Sequence, residues 1–168
     1  TRDNEGQFFY IRDLDSNDVW SAGYQPVCKD AKTYQVIFQG SKTELRSRIL
    51  GIDAHTEVVV SPEDDIELRS ISLTNRSSIR RKIELTSYAE VVLTTSAADA
   101  THPAFSNLFV KTKILRKRSA ILCTRRPRSG EEKTPWMLHQ MASENVEEDL
   151  VSFETDRSKF IGRGRNVT

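Results

Sequence analysis

HTEVVVSPEDDIELRSISLTN, running from His55 to Asn75, decides the fold class of this chain. Two runs rich in β-branched residues, His55–Ser61 and Ile66–Asn75, flank Pro62-Glu63-Asp64-Asp65. Proline pre-sets a turn and cannot donate to a strand ladder, so the four residues predict a turn between two antiparallel strands. In the second run Ile66, Leu68, Ser70 and Ser72 alternate with Glu67, Arg69, Ile71 and Leu73. The apolar phase slips near Ser70, which predicts a bulge or a strand passing between two environments.

The pattern extends in both directions. Upstream, Thr33–Gln39 and Thr43–Leu50 flank Gly40-Ser41, while Gln7–Arg12 and Val19–Ala22 flank the polar run Asp13–Asp18. Both pairs read as hairpins. Leu45 and Ile49 fall between polar neighbours, so one face of their strand is expected to be wet. Downstream, Asn75–Ser78 turns the chain into Arg81–Leu93, where Ile83, Leu85, Ser87, Ala89, Val91 and Leu93 share one face. Ala97–His102 reads as an ordered loop closed by Pro103, and Asn107–Leu115, Ala120–Thr124, Trp136–Ala142 and Leu150–Glu154 supply the remaining strands. Strands joined by short polar turns, with no helix beyond two turns and no repeat, predict an all-β chain: an antiparallel β-sandwich.

At 168 residues, length predicts one domain spanning 1–168. The chain opens on Thr1 without an initiator Met, so a fragment of a larger multidomain protein is expected. No apolar run reaches the roughly 18 residues of a membrane span. Cys28 and Cys123 lack CxxC or Cys/His spacing and read as buried free thiols rather than a disulfide or metal ligands. Net charge is only +1 but uneven: residues 76–128 hold twelve Lys and Arg against three acids, and residues 131–156 hold eight acids against one Lys. Mutual neutralisation, within the fold or against a neighbouring domain, is preferred to a nucleic-acid surface. The basic residues alternate along strands, and ribonucleoprotein aromatics are missing. No nucleic-acid partner is expected.

Chemistry-bearing residues concentrate near the end. Phe153–Arg165 packs two carboxylates, four cations and two glycines into thirteen residues, a composition that predicts a defined loop with specific polar contacts. Glu154 and Asp156 lie two apart and would share a strand face; carboxylates about 5–9 Å apart across a sugar can perform glycoside chemistry. The preferred alternative is a pair bridged to Arg157 and Arg163, because one local pair rarely flanks a substrate. Gly162-Arg163-Gly164-Arg165 lacks the third glycine and strand–helix context of a nucleotide loop; backbone freedom at Gly162 and Gly164 suits it better. His55, His102 and His139 have no metal spacing, so they read as structural, and no metal or cofactor is expected. Trp20, Trp136, Tyr24 and Tyr88 can stack on sugar rings, though core burial is the commoner fate of any one of them.

Five segments in this order resemble the amino-terminal domain of glycoside hydrolase family 94, formerly glycosyltransferase family 36. They are Asp3–Pro26 with its GQFFYIRDLDSNDVWSAGYQP run, Ser72–Leu93 (SLTNRSS…IELTSYAEVVL), His102–Phe109 (HPAFSNLF), Arg125–Trp136 and Phe153–Arg165. The likeness covers nearly the whole chain and leans to the branch of cyclic β-1,2-glucan synthases and 1,2-β-oligoglucan phosphorylases. It implies a galactose-mutarotase-like supersandwich, followed in the parent by a helical linker and an (α/α)6 barrel. The family's general acid and phosphate-binding residues belong to that barrel, so the resemblance transfers no catalytic residue to this chain. Glu154, Asp156, Arg157, Gly162, Arg163 and Gly164 are then expected at a carbohydrate-facing or domain-junction loop on the barrel side.

The resemblance thus implies a non-catalytic sandwich domain of a glucosyl-transferring enzyme, shaping a sugar cleft and contacting the barrel or a second copy in a homodimer. Its implied partner is a β-linked glucan or glucose oligosaccharide, reached through the parent. The implied location is the cytoplasm, or the cytoplasmic side of the inner membrane for a glucan synthase. A free-standing carbohydrate-binding module is the alternative, and a nucleic-acid-binding sandwich ranks below it.

Overall fold

The computed structural model describes residues 6–101, 107–127, 129–144 and 150–162. They form two compact units, one within residues 6–88 and one within 89–162.

The first unit starts with a hairpin of β1 (Gln7–Asp13) and β2 (Val19–Ser21), paired antiparallel with Ile11 opposite Trp20. A four-strand meander follows: β3 (Thr33–Phe38), β4 (Thr43–Ile49), β5 (Ile52–Val60) and β6 (Glu67–Asn75), in spatial order β3-β4-β5-β6. Strand β7 (Ile83–Ala89) then returns to β1, giving a second sheet of order β2-β1-β7. Ile11, Trp20 and Ala22 on one side meet Ile49, Ile52 and Ala54 on the other, with Ile71, Leu73, Ile83 and Leu85 packed around them. This is sheet-on-sheet packing, and fully burying one such large apolar side chain contributes about 1.5–3 kcal/mol.

The three expected hairpins form, including the one led by Pro62. Between β4 and β5 lies a tighter turn that the sequence did not announce. Leu50 (φ 51°) and Gly51 (φ 81°) are its two central residues, the double positive φ that twists a two-residue hairpin correctly. The expected bulge near Ser70 is absent, since the β5–β6 register runs unbroken from Ile52↔Asn75 to Val60↔Glu67. The phase slip marks a change of surroundings instead: Ile71 and Leu73 face the core, and Leu68 faces outward. Strand β7 stops at Ala89, short of Leu93, which itself has φ 47°. Cys28, expected to be buried, is exposed in a turn, where its thiol donates to Gln25 Oε1 at 3.3 Å.

The second unit holds the sheet β10-β9-β8, made of β8 (Val110–Leu115), β9 (Ala120–Arg125) and β10 (Trp136–Gln140). A 3-10 turn at Arg116–Arg118 and left-handed Ser119 (φ 46°) join β8 to β9. Ala120 and Cys123 are buried here, the latter as expected, and the buried Arg125 guanidinium lies 5.5 Å from the Phe109 ring centroid. Two short helices depart from expectation. Helix α1 (Ser96–Thr101) replaces the loop anticipated at 97–102, and α2 (Arg157–Ile161) lies within the tail. The segment expected as a strand at Leu150–Glu154 has no strand pairing. Among the described residues, no helix is long and apolar enough to cross a membrane.

Candidate functional site

The tail is built by its own side chains. Asp156 sits at the N-cap of α2 in extended conformation and accepts from the backbone N–H of Ser158 at 2.9 Å and of Lys159 at 3.4 Å. The Ser158 hydroxyl also donates to it at 2.7 Å. That hydroxyl, with the backbone N–H groups, outweighs desolvation and holds the Asp156 carboxyl below its ordinary value. Glu154 folds back two residues earlier: its Oε1 accepts from Thr155 N at 2.8 Å and Asp156 N at 2.7 Å.

The expected bridges from this pair to Arg157 therefore do not form. Arg157 Nε donates instead to Glu90 Oε1 at 2.7 Å. Glu90, just past β7, is the tail partner that sequence reading missed. Its contribution is invisible in one dimension, because 67 residues separate the two. Phe153 is held separately, 5.7 Å from the Arg116 guanidinium. Gly162 ends α2 at φ 97°, where its N–H donates to Ser158 O at 3.0 Å. The need for glycine there is as expected. Arg163, Gly164 and Arg165 lie outside the described residues, as does His102.

A second polar constellation occupies the outward face of β4 and β5. Glu44 is buried, yet Lys42 donates to it at 2.8 Å, Arg46 at 2.8 Å, and the His55 imidazole lies 3.2 Å away. Lys42 and Arg46, more than burial opposes, bring the Glu44 carboxyl down to about 2. Glu44, His55 and Glu57 bring ligand atoms within 4.8 Å of one another, the donor set of a cation site. Lys42 already bridges both carboxylates, so an ammonium supplies the charge that a metal would. Beside it Asp53 pairs with Arg48 and, at 2.9 Å, with Arg76; these two guanidiniums take its carboxyl to about 2.

The aromatic candidates separate. Trp20 is core, and Tyr88 packs on Phe8 and Tyr10 with ring centroids 6.4 and 6.1 Å apart. Tyr24 and Trp136 are exposed, the latter 65%, against the expectation of burial.

The profile of a family described as glycosyl hydrolase 94, supersandwich domain, matches residues 1–168. The chain belongs to that family. This glycosyl hydrolase 94 supersandwich is 33% identical over 165 residues to the cyclic beta-(1,2)-glucan synthase NdvB of Rhizobium meliloti (strain 1021), covering 98% of this chain and 6% of that protein. It is 33% identical over 87 residues to the solabiose phosphorylase of Paenibacillus borealis, covering 52% of this chain and 11% of that one. With the N,N'-diacetylchitobiose phosphorylase of Vibrio proteolyticus it shares 34% over 92 residues, 54% of this chain and 12% of the relative. The chain thus spans about an eighth or less of the length of these relatives. Its antiparallel sheets and few short helices agree with the supersandwich expected from the sequence.

Proposed function

We propose that the chain is the non-catalytic domain of an enzyme that transfers glucosyl units in β-1,2-linked glucan. The observation that carries this is the extent of the similarity. It runs over 98% of the chain for the glucan synthase but 52% and 54% for the two phosphorylases. The tail supports the non-catalytic role, because Glu154 and Asp156 each turn one carboxylate oxygen onto neighbouring backbone N–H groups. In this reading residues 1–168 are one part of a longer polypeptide whose helical barrel supplies the acid chemistry. Glu154, Asp156, Arg157, Gly162, Arg163 and Gly164 then form a junction loop that steadies the barrel-side cleft. A homodimer contact through the sandwich and a cytoplasmic location, or the cytoplasmic side of the inner membrane, belong to the same reading.

The test compares two proteins. The 168-residue chain, incubated with glucose 1-phosphate and β-1,2-linked acceptors, should release no phosphate. The full-length parent should elongate or cyclise β-1,2-glucan. Turnover by the short chain that disappears with Glu154→Gln or Asp156→Asn would return catalysis to the tail and overturn the proposal.

A further inference from the structure

Where the two sheets of the first unit part, a groove of about 270 Å³ remains between β1, the loop after β2, and the core-facing side of β3–β6. Leu45 and Val58 floor it, Tyr34 on β3 flanks it at 44% exposure, and Tyr24 on the loop stands at 49%. Polar groups converge on the same space from Gln7, Gln25 and Arg69. Thr56 also lines the groove. It is only 5% exposed, and its hydroxyl has no hydrogen-bond partner among the described residues. A buried hydroxyl without a partner carries the cost of an unmade hydrogen bond, and such groups call for an explanation.

The lining is rigidly held. Ser47 Oγ donates to Ala22 O at 3.1 Å, and Ser21 Oγ donates to Tyr24 O while accepting from Val27 N, both at 3.2 Å. Cys28 N closes onto Tyr24 O at 2.8 Å. These bonds fix the backbone that presents Tyr24 and Gln25. Opposite them, Arg69 is pinned by the Gln7 carbonyl at 2.6 Å. Two aromatic residues on a fixed frame, with amide and guanidinium donors around a small concavity, are what a sugar ring requires. Its C–H faces pack on tyrosine, and its vicinal hydroxyls meet planar polar groups.

We infer that this groove is a binding site for one terminal or internal hexopyranose unit of a glucan. Tyr24 and Tyr34 supply the apolar contacts, Gln7 and Gln25 contact the hydroxyls, and Thr56 gains its missing partner when the sugar enters. The choice of glucose rests on the proposed function, whereas the choice of a pyranose rests on the lining alone. The groove holds chain while chemistry proceeds elsewhere in the parent.

Titrating the ¹⁵N-labelled 168-residue chain with β-1,2-linked glucotriose up to about 10 mM tests this. Saturable shifts should cluster at residues 7–9, 22–25, 34, 45, 56–58 and 69. Tyr34→Ala should weaken binding about tenfold or more. Thr56→Val should weaken binding while leaving the melting temperature unchanged or higher, because it removes an unpaired hydroxyl, and Thr56→Ser should restore affinity. No saturable shift, shifts confined to the Trp136 sheet, or full affinity in both Tyr34→Ala and Thr56→Val would overturn the site. Glucan turnover by the full-length parent separates the two claims: turnover without groove binding sinks only the groove, and groove binding without turnover sinks only the parent assignment.

Discussion

Arg157 on α2 and Glu90 beyond β7 form a 2.7 Å ion pair that secures the tail at a distance of 67 residues along the chain. The guanidinium is about half exposed and the carboxylate only 11%, so the pair sits at the edge of solvent. Its coupling in a double-mutant cycle of Arg157→Ala and Glu90→Gln should be about 0.2–1 kcal/mol, the range of exposed pairs. Urea denaturation of the four proteins measures it. A coupling of zero would remove this pair as an anchor of the tail.

Gly162 offers a sharper perturbation of the same segment. At φ 97° any L side chain is strained, and a β-branched one more than alanine. Gly162→Ala should cost about 1–2 kcal/mol and Gly162→Val more, while the exposed Ser152→Ala should stay within about 0.5 kcal/mol. Thermal unfolding ranks the three. If the glucan turnover proposed for the parent falls with Gly162→Val while the proposed barrel still melts cooperatively, the tail supports a site in which it performs no chemistry.

The contrast between Gly162 and Glu90 shows which features were legible in the sequence. Glycines alternating with arginines in Gly162-Arg163-Gly164-Arg165 signal an unusual backbone locally, and the structure places positive φ at Gly162. Alternating strands and proline- or glycine-marked turns are equally local, so three hairpins and the sandwich class could be read directly. Pairings between distant segments leave no such mark. Asp13 looked like one member of a polar turn, but it is fully buried, bound by the N–H groups of Asp15 and Ser16 and paired with Arg81. Glu44 looked like the wet face of a strand and is buried beneath its cations. Alternation reveals which face a residue occupies, not whether that face is covered.

Core depth can be tested at Trp20, weighed in the sequence as a sugar-stacking candidate against core burial, and at Leu85, placed there on the apolar face of its strand. Trp20 is almost wholly enclosed, so Trp20→Ala should cost about 3–5 kcal/mol. Leu85 packs against the core but remains half-buried, so Leu85→Ala should lie near the lower end of its class, about 2 kcal/mol. Denaturant midpoints with unchanged slope would report both. Equal losses would contradict the difference in burial between these two positions of one sheet.

Acid should destabilise the first unit through Glu44 and Asp53. Hydrogen bonds from Lys42 and Arg46 hold Glu44 at about 2 against an ordinary 4.5, and those from Arg48 and Arg76 hold Asp53 at about 2 against 3.8. A carboxylate whose folded value is depressed binds fewer protons in the native state than in the unfolded one, so its stabilisation is complete above the ordinary value. That stabilisation is lost as pH falls from about 4.5 towards about 2. The groups facing Glu44 are Lys42, Arg46 and His55, with Glu57 sharing Lys42, so no uncompensated cation is buried until the carboxylate protonates. Urea midpoints should therefore be flat from pH 8 to 6 and drop steeply below about 4.5. Asp13, Asp18 and Asp156 are shifted in the same direction and contribute to the same limb, so the informative quantity is a difference. Glu44→Gln and Asp53→Asn should each be less stable than the unsubstituted chain at pH 7, and the gap should narrow as pH falls towards about 2, where the wild-type carboxylates are about half protonated. A constant gap across the whole range would show that these side chains stabilise the sheet by packing rather than by charge.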